Sequence, residues 1–267
     1  MSNVAGRIGR ATLTTLIAGT VGGAALLAGE AIAARTRRYA KPTMGLALRT
    51  SMGPSSAPQL RLVLLGDAAA LGVGVEWLAD TIGGQLARLL AEGEGGAQRH
   101  VLLSSVGVAG SRSTDLATQV ARALLGEKPD VAVILIGAND ATGFRSPEDA
   151  AGHLGAAVRR LRGAGVQVVV GTCPDLGAVR SIAVPLRQLT GWQGRRVARA
   201  QADAVREAGG TVVDLAEETG AVFRADAGTL CYDGFHPSAD GYRVWAHALY
   251  PAVSAAAAAA GKPSKQE

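Results

Sequence analysis

The feature that most constrains this chain is an alternation. Apolar runs of strand length occupy residues 60–65, 101–106, 131–136, 166–171 and 211–215. Between them lie stretches with helical spacing at 81–90, 114–125, 147–162 and 193–207, and a last one follows at 239–250. Strands that are apolar throughout, rather than every second residue, are buried on both faces. Strands that alternate with helices pair in parallel, because the helices carry the chain back across the sheet. The pattern predicts an α/β domain with a mostly parallel five-stranded sheet between two helical layers. Composition supports it: hydrophobic residues make up 48% but aromatic residues only 4%, which suits Ala-rich helices packed closely on a sheet. Ser146-Pro147-Glu148-Asp149 is a well-formed helix start, with a capping hydroxyl, Pro at the first position and acids in the first turn.

The sequence divides into an N-terminal segment (1–41), a linker (42–59), the α/β domain (60–252) and a tail (253–267). Residues 11–29 are apolar or small apart from threonines, and as a helix would span ~28 Å, about one hydrocarbon core. A membrane anchor fits. A cleaved signal peptide fits as well, since Ala31-Ile32-Ala33 has the small-x-small form of a cleavage site. An amphipathic or buried helix is the third reading. The expected location is membrane-anchored or exported, at the cell envelope. The side stays open: Arg35, Arg37, Arg38 and Lys41 follow the segment while Arg7 and Arg10 precede it, a bias that favours a cytoplasmic domain unless the segment is cleaved. Residues 42–59 hold Pro, Gly and Ser without periodicity, hence the linker.

Several classes fall away. The net charge is +5, but a basic recognition helix and interleaved aromatics are missing, so no nucleic-acid partner is expected. Two cysteines without a CxxC make no zinc framework, and no metal or cofactor is expected. The glycines of 66–74 match neither the GK[ST] of a P-loop nor the G-x-G-x-x-G spacing.

Four segments carry candidate chemistry. Gly66-Asp67-Ala68 ends the first apolar run, and ligands of open α/β sheets bind at the carboxyl ends of strands. Gly110, within Val108–Ser113, follows the second and offers backbone N–H groups to an anion, or is an ordinary turn. Gly137-Ala138-Asn139-Asp140 follows the third; the Asn139 amide is a candidate oxyanion donor, though Asn, Asp and Gly also favour plain turns. Asp233-Gly234-Phe235-His236 precedes the last helix, where a carboxylate three residues before an imidazole can fix its tautomer and stabilise the imidazolium; the alternative is a surface turn.

Taken together and in this order, the four segments resemble the blocks of the SGNH (GDSL-type) hydrolases, over roughly residues 60–251. The pairing of Gly-Ala-Asn-Asp with Asp-Gly-Phe-His-Pro-Ser is more specific than either part. The resemblance implies a flavodoxin-like three-layer α/β/α fold and metal-free ester hydrolysis by a Ser-His-Asp triad. It assigns His236 as general base, Asp233 as its orienting carboxylate, and Gly110, Asn139 and the amide of residue 68 as the oxyanion hole. The implied substrate is a small-molecule ester or an acylated lipid or glycan.

One residue departs from the pattern. The family has serine after Gly-Asp; this chain has Ala68, whose methyl group has no lone pair to attack a carbonyl. Turnover is therefore expected to be strongly reduced. The chain is either a hydrolase framework whose nucleophile was substituted or a pseudoenzyme that binds ligand in the same cleft. Ser111 and Ser113 are candidate surrogate nucleophiles, and a water activated by His236 is another route. Asp67 reads as a brace for the turn, Arg112 as a partner of Asp115 or of an acidic substrate group. Cys173 and Cys231 both fall at the catalytic end of the sheet, as two buried thiols or as a disulfide bracing the Asp-His loop.

Overall fold

The computed structural model describes residues 26–30, 48–93 and 96–260. A six-stranded sheet comprises β1 (Arg49–Met52), β2 (Gln59–Gly66), β3 (His100–Ser105), β4 (Val131–Leu135), β5 (Gln167–Gly171) and β6 (Thr211–Val213). The order is β1-β3-β2-β4-β5-β6, parallel except for β1, which pairs antiparallel with β3. All five expected strands are present. The five-strand count is corrected to six, because β1 lies within the stretch read as linker. It is only four residues long and half exposed, so it carries no apolar run. Without β1 the parallel strands run in the 2-1-3-4-5 order of flavodoxin-like sheets, whose ligand crevice opens where the order reverses, between β2 and β4.

Seven helices flank the sheet among the described residues: α1 (Ile82–Glu92), α2 (Leu116–Leu124), α3 (Ala138–Thr142), α4 (Pro147–Gly163), α5 (Leu186–Glu207), α6 (Leu215–Ala225) and α7 (Ala239–Ala260). Alternate residues of each strand serve opposite faces. Leu62, Leu64, Val133 and Val169 pack with Leu86 of α1 and with Tyr242, Trp245 and Leu249 of α7. Val63, Leu65, Ile134 and Val168 pack with Val120 of α2, Leu154 and Leu161 of α4 and Val205 of α5. Each layer buries a full helical face, which makes this a three-layer α/β/α sandwich.

The helix starts follow the capping residues. Thr81 accepts from Gly84 N at 3.0 Å and opens α1; Ser146 accepts from Asp149 N at 3.1 Å and opens α4. The structure moves two helix boundaries and adds one helix. Helix α5 begins at Leu186 rather than 193, its N-terminal N–H held by the Glu30 carboxylate at 2.9 Å. Helix α6 was not anticipated: Asp214 caps it by accepting from Ala216 N and Glu217 N. Helix α7 runs through Pro251 to Ala260, and Val253, Ala256 and Ala257 are buried in the core. Residues 253–260 thus belong to the domain, not to a tail.

The proposed membrane or signal segment, 11–29, lies almost wholly outside the described residues. Among the described residues no helix is long and apolar enough to cross a membrane.

Candidate active site

Strand register brings the carboxyl ends of the sheet level, with Gly66 opposite Leu135 and Leu135 opposite Gly171. At the end of β2 the chain turns sharply. Gly66 has φ +133°, and a side chain there would place Cβ 1.8 Å from the Leu135 carbonyl oxygen. Only glycine lets the strand close so tightly on β4. Asp67 then caps a single 3-10 turn, Ala68–Leu71, by accepting from Ala69 N at 3.1 Å.

The loop after β3 is fastened from three sides. Gln119 of α2 accepts from Gly66 N at 2.7 Å and donates from Nε2 to Gly66 O at 2.9 Å and to Ser111 Oγ at 3.1 Å. Asp140 accepts from Ser113 N and, at 3.0 Å, from Ser113 Oγ. Asn139 donates from Nδ2 to Ser111 O at 2.9 Å. These bonds draw Ser111 and Ser113, both buried, into the bracing of the loop. Asp115 accepts from the Arg112 backbone N–H at 2.8 Å, a bond that closes the turn and does not involve the guanidinium.

The Asp-His loop closes the site. Asp233 Oδ1 accepts from Phe235 N at 2.7 Å, His236 N at 2.9 Å and Cys231 Sγ at 3.1 Å. Its Oδ2 faces His236 Nδ1 at 2.5 Å. An ionised carboxylate only accepts, so Nδ1 carries the proton and Nε2 is left as the basic atom. Burial pushes the Asp233 carboxyl up, but hydrogen bonds from the His236 ring, the two backbone amides and Cys231 outweigh it and hold the carboxyl at about 2. The turn and the loop touch directly: a Cβ on Gly74 (φ +110°) would sit 2.4 Å from Pro237 O and 3.3 Å from His236 Cβ. Tyr242 of α7 ties them again, donating from its hydroxyl to Val73 O at 2.7 Å.

Ala68, Gly110, Asn139 and His236 all line one cavity of about 470 Å³, so four of the five candidate site residues converge on it. The fifth, Asp233, stands behind His236. Among the described residues the backbone N–H groups of Ala68 and Gly110 take no partner, and Asn139 spends one of its two amide hydrogens on Ser111. Three residues around one cavity therefore keep a donor to offer. Cys173 and Cys231 are free thiols. Burial pushes the Cys231 thiol up to about 12, which makes it a hydrogen-bond donor to Asp233 rather than a nucleophile. No cluster able to hold a metal occurs among the described residues.

Asp67 behaves differently from Asp233. Burial outweighs the Ala69 amide bond and raises its carboxyl to about 6. An acid whose folded pKa is raised costs stability: nothing below its unfolded value of 3.8, the full amount above about 6. Asp67→Asn keeps an acceptor for Ala69 N and removes the charge. Its expected effect is a melting temperature higher by on the order of 5 °C at pH 8. That gain should fade as pH falls through 6 and vanish near pH 4. Thermal denaturation across this range checks it, and a gain that persists unchanged at pH 4 contradicts it.

Sequence reading missed Gln119, Gln201 and Tyr242. Gln201 of α5 bridges two strand ends, donating to Ile136 O at 3.0 Å and accepting from Cys173 N at 2.8 Å. The available signal was periodicity: Leu116, Val120 and Ala123 mark the buried face of α2, and Gln119 falls on it.

Comparison with known proteins gives the same outline. The profile of the GDSL-like Lipase/Acylhydrolase family matches residues 64–244. A GDSL-like esterase of Mycobacterium tuberculosis is 41% identical over 196 residues, 73% of this chain and 62% of that protein. The chain thus spans under two thirds of that relative's length. Among solved structures, a lipase/acylhydrolase from Enterococcus faecalis has a TM-score of 0.58 at 21% identity, over 74% of this chain and 96% of its own. A mutant of an acetyl-xylooligosaccharide esterase from Geobacillus has a TM-score of 0.55 at 19% identity, over 74% and 95%. Those two likenesses concern the fold, whereas the profile match spans the described site. The chain belongs to the GDSL-like lipase/acylhydrolase family, a family of esterase-type hydrolases.

Proposed function

We propose that this protein is a carboxylic-ester hydrolase framework in which every part of the catalytic machinery except the attacking oxygen is assembled. The observation that carries the reading is the hydrogen-bonded Asp233–His236 pair, whose His236 lines the same cavity as Ala68, Gly110 and Asn139. With a hydroxyl at position 68, His236 Nε2 takes its proton as the oxygen attacks the ester carbonyl. Asp233 holds the ring and stabilises the imidazolium. The oxyanion is met by the N–H groups of residues 68 and 110 and by the Asn139 amide. His236 then returns the proton to the departing alcohol, and water repeats the sequence to release the acid.

As the chain stands, Ala68 supplies no nucleophile, so ester binds and turns over slowly. The second reading, a ligand-binding module without turnover, is favoured by that one residue. The test is Ala68→Ser assayed beside the original chain on p-nitrophenyl acetate. In the Ala68→Ser background, Asn139→Ala is expected to lower kcat by ~10²–10³ with little change in KM, the cost of one lost oxyanion donor. Steady-state kinetics decide this. An effect confined to KM removes Asn139 from the oxyanion hole.

A further inference from the structure

Helix α5 has an outer face that the fold does not use. Its inner residues Val197, Ala198 and Val205 pack into the domain, whereas Leu189 and Trp192 of its first two turns stand 39% and 50% exposed. Three more large apolar side chains come beside them. Val184 directly precedes the helix and is half exposed. Phe144, also half exposed, lies just past α3, and the carbonyl of its neighbour Arg145 accepts from Gln193 Nε2 of α5 at 2.7 Å. Leu26 is exposed within residues 26–30, which the Glu30 carboxylate ties to the start of α5. Ten large apolar side chains are exposed among the described residues, and five lie here, so they form a patch rather than scatter. Phe144 is also the one described residue other than glycine with a left-handed backbone, at φ +50°. That conformation disfavours a bulky side chain, yet the domain leaves the ring half in water.

The same face is basic. Arg145, Arg195 and Arg199 are exposed and have no acidic partner among the described residues. Arg196 lies over the Trp192 ring, 4.9 Å from its centroid. Nearby acids are already engaged, Glu148 at 3.9 Å from Arg196 and Asp203 at 3.1 Å from Arg206. A soluble polyanion would use the arginines but leave the five apolar side chains in water. A bilayer surface takes both: Trp and Phe settle at headgroup level, and arginines are drawn to an anionic leaflet. The chain leading into Leu26 has matching chemistry, since residues 11–25 are apolar or small apart from threonines.

We propose that the outer face of α5, with Phe144 and Leu26 beside it, docks the domain on a bilayer surface rich in anionic lipid. The proposal is independent of the catalytic reading of the cleft. It bears on the cleft all the same: Leu176 and Val179 line the cavity and pack in one cluster with Val197 and Ala198 of α5, so a docked domain carries its cavity about one helix diameter, ~10 Å, from the lipid.

The experiment is co-sedimentation of the full chain with vesicles of phosphatidylcholine, alone or mixed with phosphatidylglycerol, at physiological ionic strength. Binding to the mixed vesicles should be at least ~10-fold tighter than to phosphatidylcholine alone. Arg195→Gln combined with Arg199→Gln should weaken it ~25-fold, about fivefold per charge, the equivalent of ~1 kcal/mol for each arginine near the surface. Both side chains are exposed, so the melting temperature should stay that of the parent. Vesicles with brominated acyl chains should quench tryptophan emission, and Trp192→Phe should remove most of that quenching, because Trp245 is buried and Trp77 precedes α1 in the opposite helical layer. Equal binding to both vesicle types, binding unchanged by the double arginine variant, or quenching that persists in Trp192→Phe overturns the proposal. So does binding to heparin without binding to vesicles.

Discussion

Ala68→Ser is expected to raise kcat on p-nitrophenyl esters by at least ~10³-fold, and by up to ~10⁶ if the new hydroxyl settles into the attacking geometry. The size follows from what is already in place. Deleting the nucleophile of a triad leaves only the binding and oxyanion contributions, ~10³–10⁴ over water, so restoring it recovers the covalent route. Here the Ala68 turn is fixed by Gly66 against β4, by the Asp67 cap and by Gln119 from α2. A serine side chain differs from alanine by one oxygen, and residue 68 faces a cavity, so the change needs no repacking. The gain must depend on His236: Ala68→Ser combined with His236→Ala should return to the level of the original chain. A gain that survives loss of His236 would mean that another base, or another site, does the work.

The second large effect is expected at Asp233. In the Ala68→Ser background, Asp233→Asn should lower kcat by ~10⁴ near neutral pH while leaving the fold intact. Asparagine can keep an acceptor for the Phe235 and His236 amides. An amide NH₂ facing His236 Nδ1, however, forces the ring into the tautomer that carries its proton on Nε2, where the base is needed. The carboxylate also contributes to stability, with a sign opposite to that of Asp67. Its folded pKa is depressed to about 2 from 3.8, so that stability is fully present above pH 4 and is lost as pH falls toward 2. Asp233→Asn should therefore lose most of its stability difference from the parent in strong acid. Steady-state kinetics at pH 7.5, with thermal melts from pH 2 to 7, check both halves. A variant of unchanged kcat contradicts the role given to Asp233.

What could be read from residues alone depended on burial and period. The five parallel strands were legible because a strand covered on both faces must be apolar throughout, as 131–135 is with every residue buried. Strand β1 was not, because four half-exposed residues between Pro, Gly and Ser make no pattern. The start of α5 was missed for a related reason: Arg187, Gln188 and Gly191 dilute its first two turns, and their helicity draws on the Glu30 carboxylate from outside the segment. Helix α6 was hidden by Leu215, which reads as the end of a strand and is instead the first helical residue after the Asp214 cap.

At the site, the blocks gave the identities of Ala68, Gly110, Asn139, Asp233 and His236, but not the bracing between them. Gln119 joins Gly66 to Ser111, partners 53 and 8 residues away, which no local pattern encodes. The contrast between the two aspartates was equally invisible. Asp67 and Asp233 are both buried beside turn amides, yet Asp233 has an imidazole, two amides and a thiol to stabilise its charge, and Asp67 has chiefly the Ala69 amide. That difference exists only once the fold has closed around them.

The central claim is that residue 68 is the one missing part of an otherwise assembled hydrolase. A fluorophosphonate probe tests it most directly, because an activated serine hydroxyl displaces fluoride and keeps the phosphonyl group as a stable adduct. Incubated with Ala68→Ser and with the original chain, followed by peptide mass spectrometry, it should label Ala68→Ser once, on residue 68, and leave the original chain unmodified. The label should disappear when His236 is also replaced by alanine. Labelling of the original chain, or of Ser111 or Ser113 in either protein, would contradict the account.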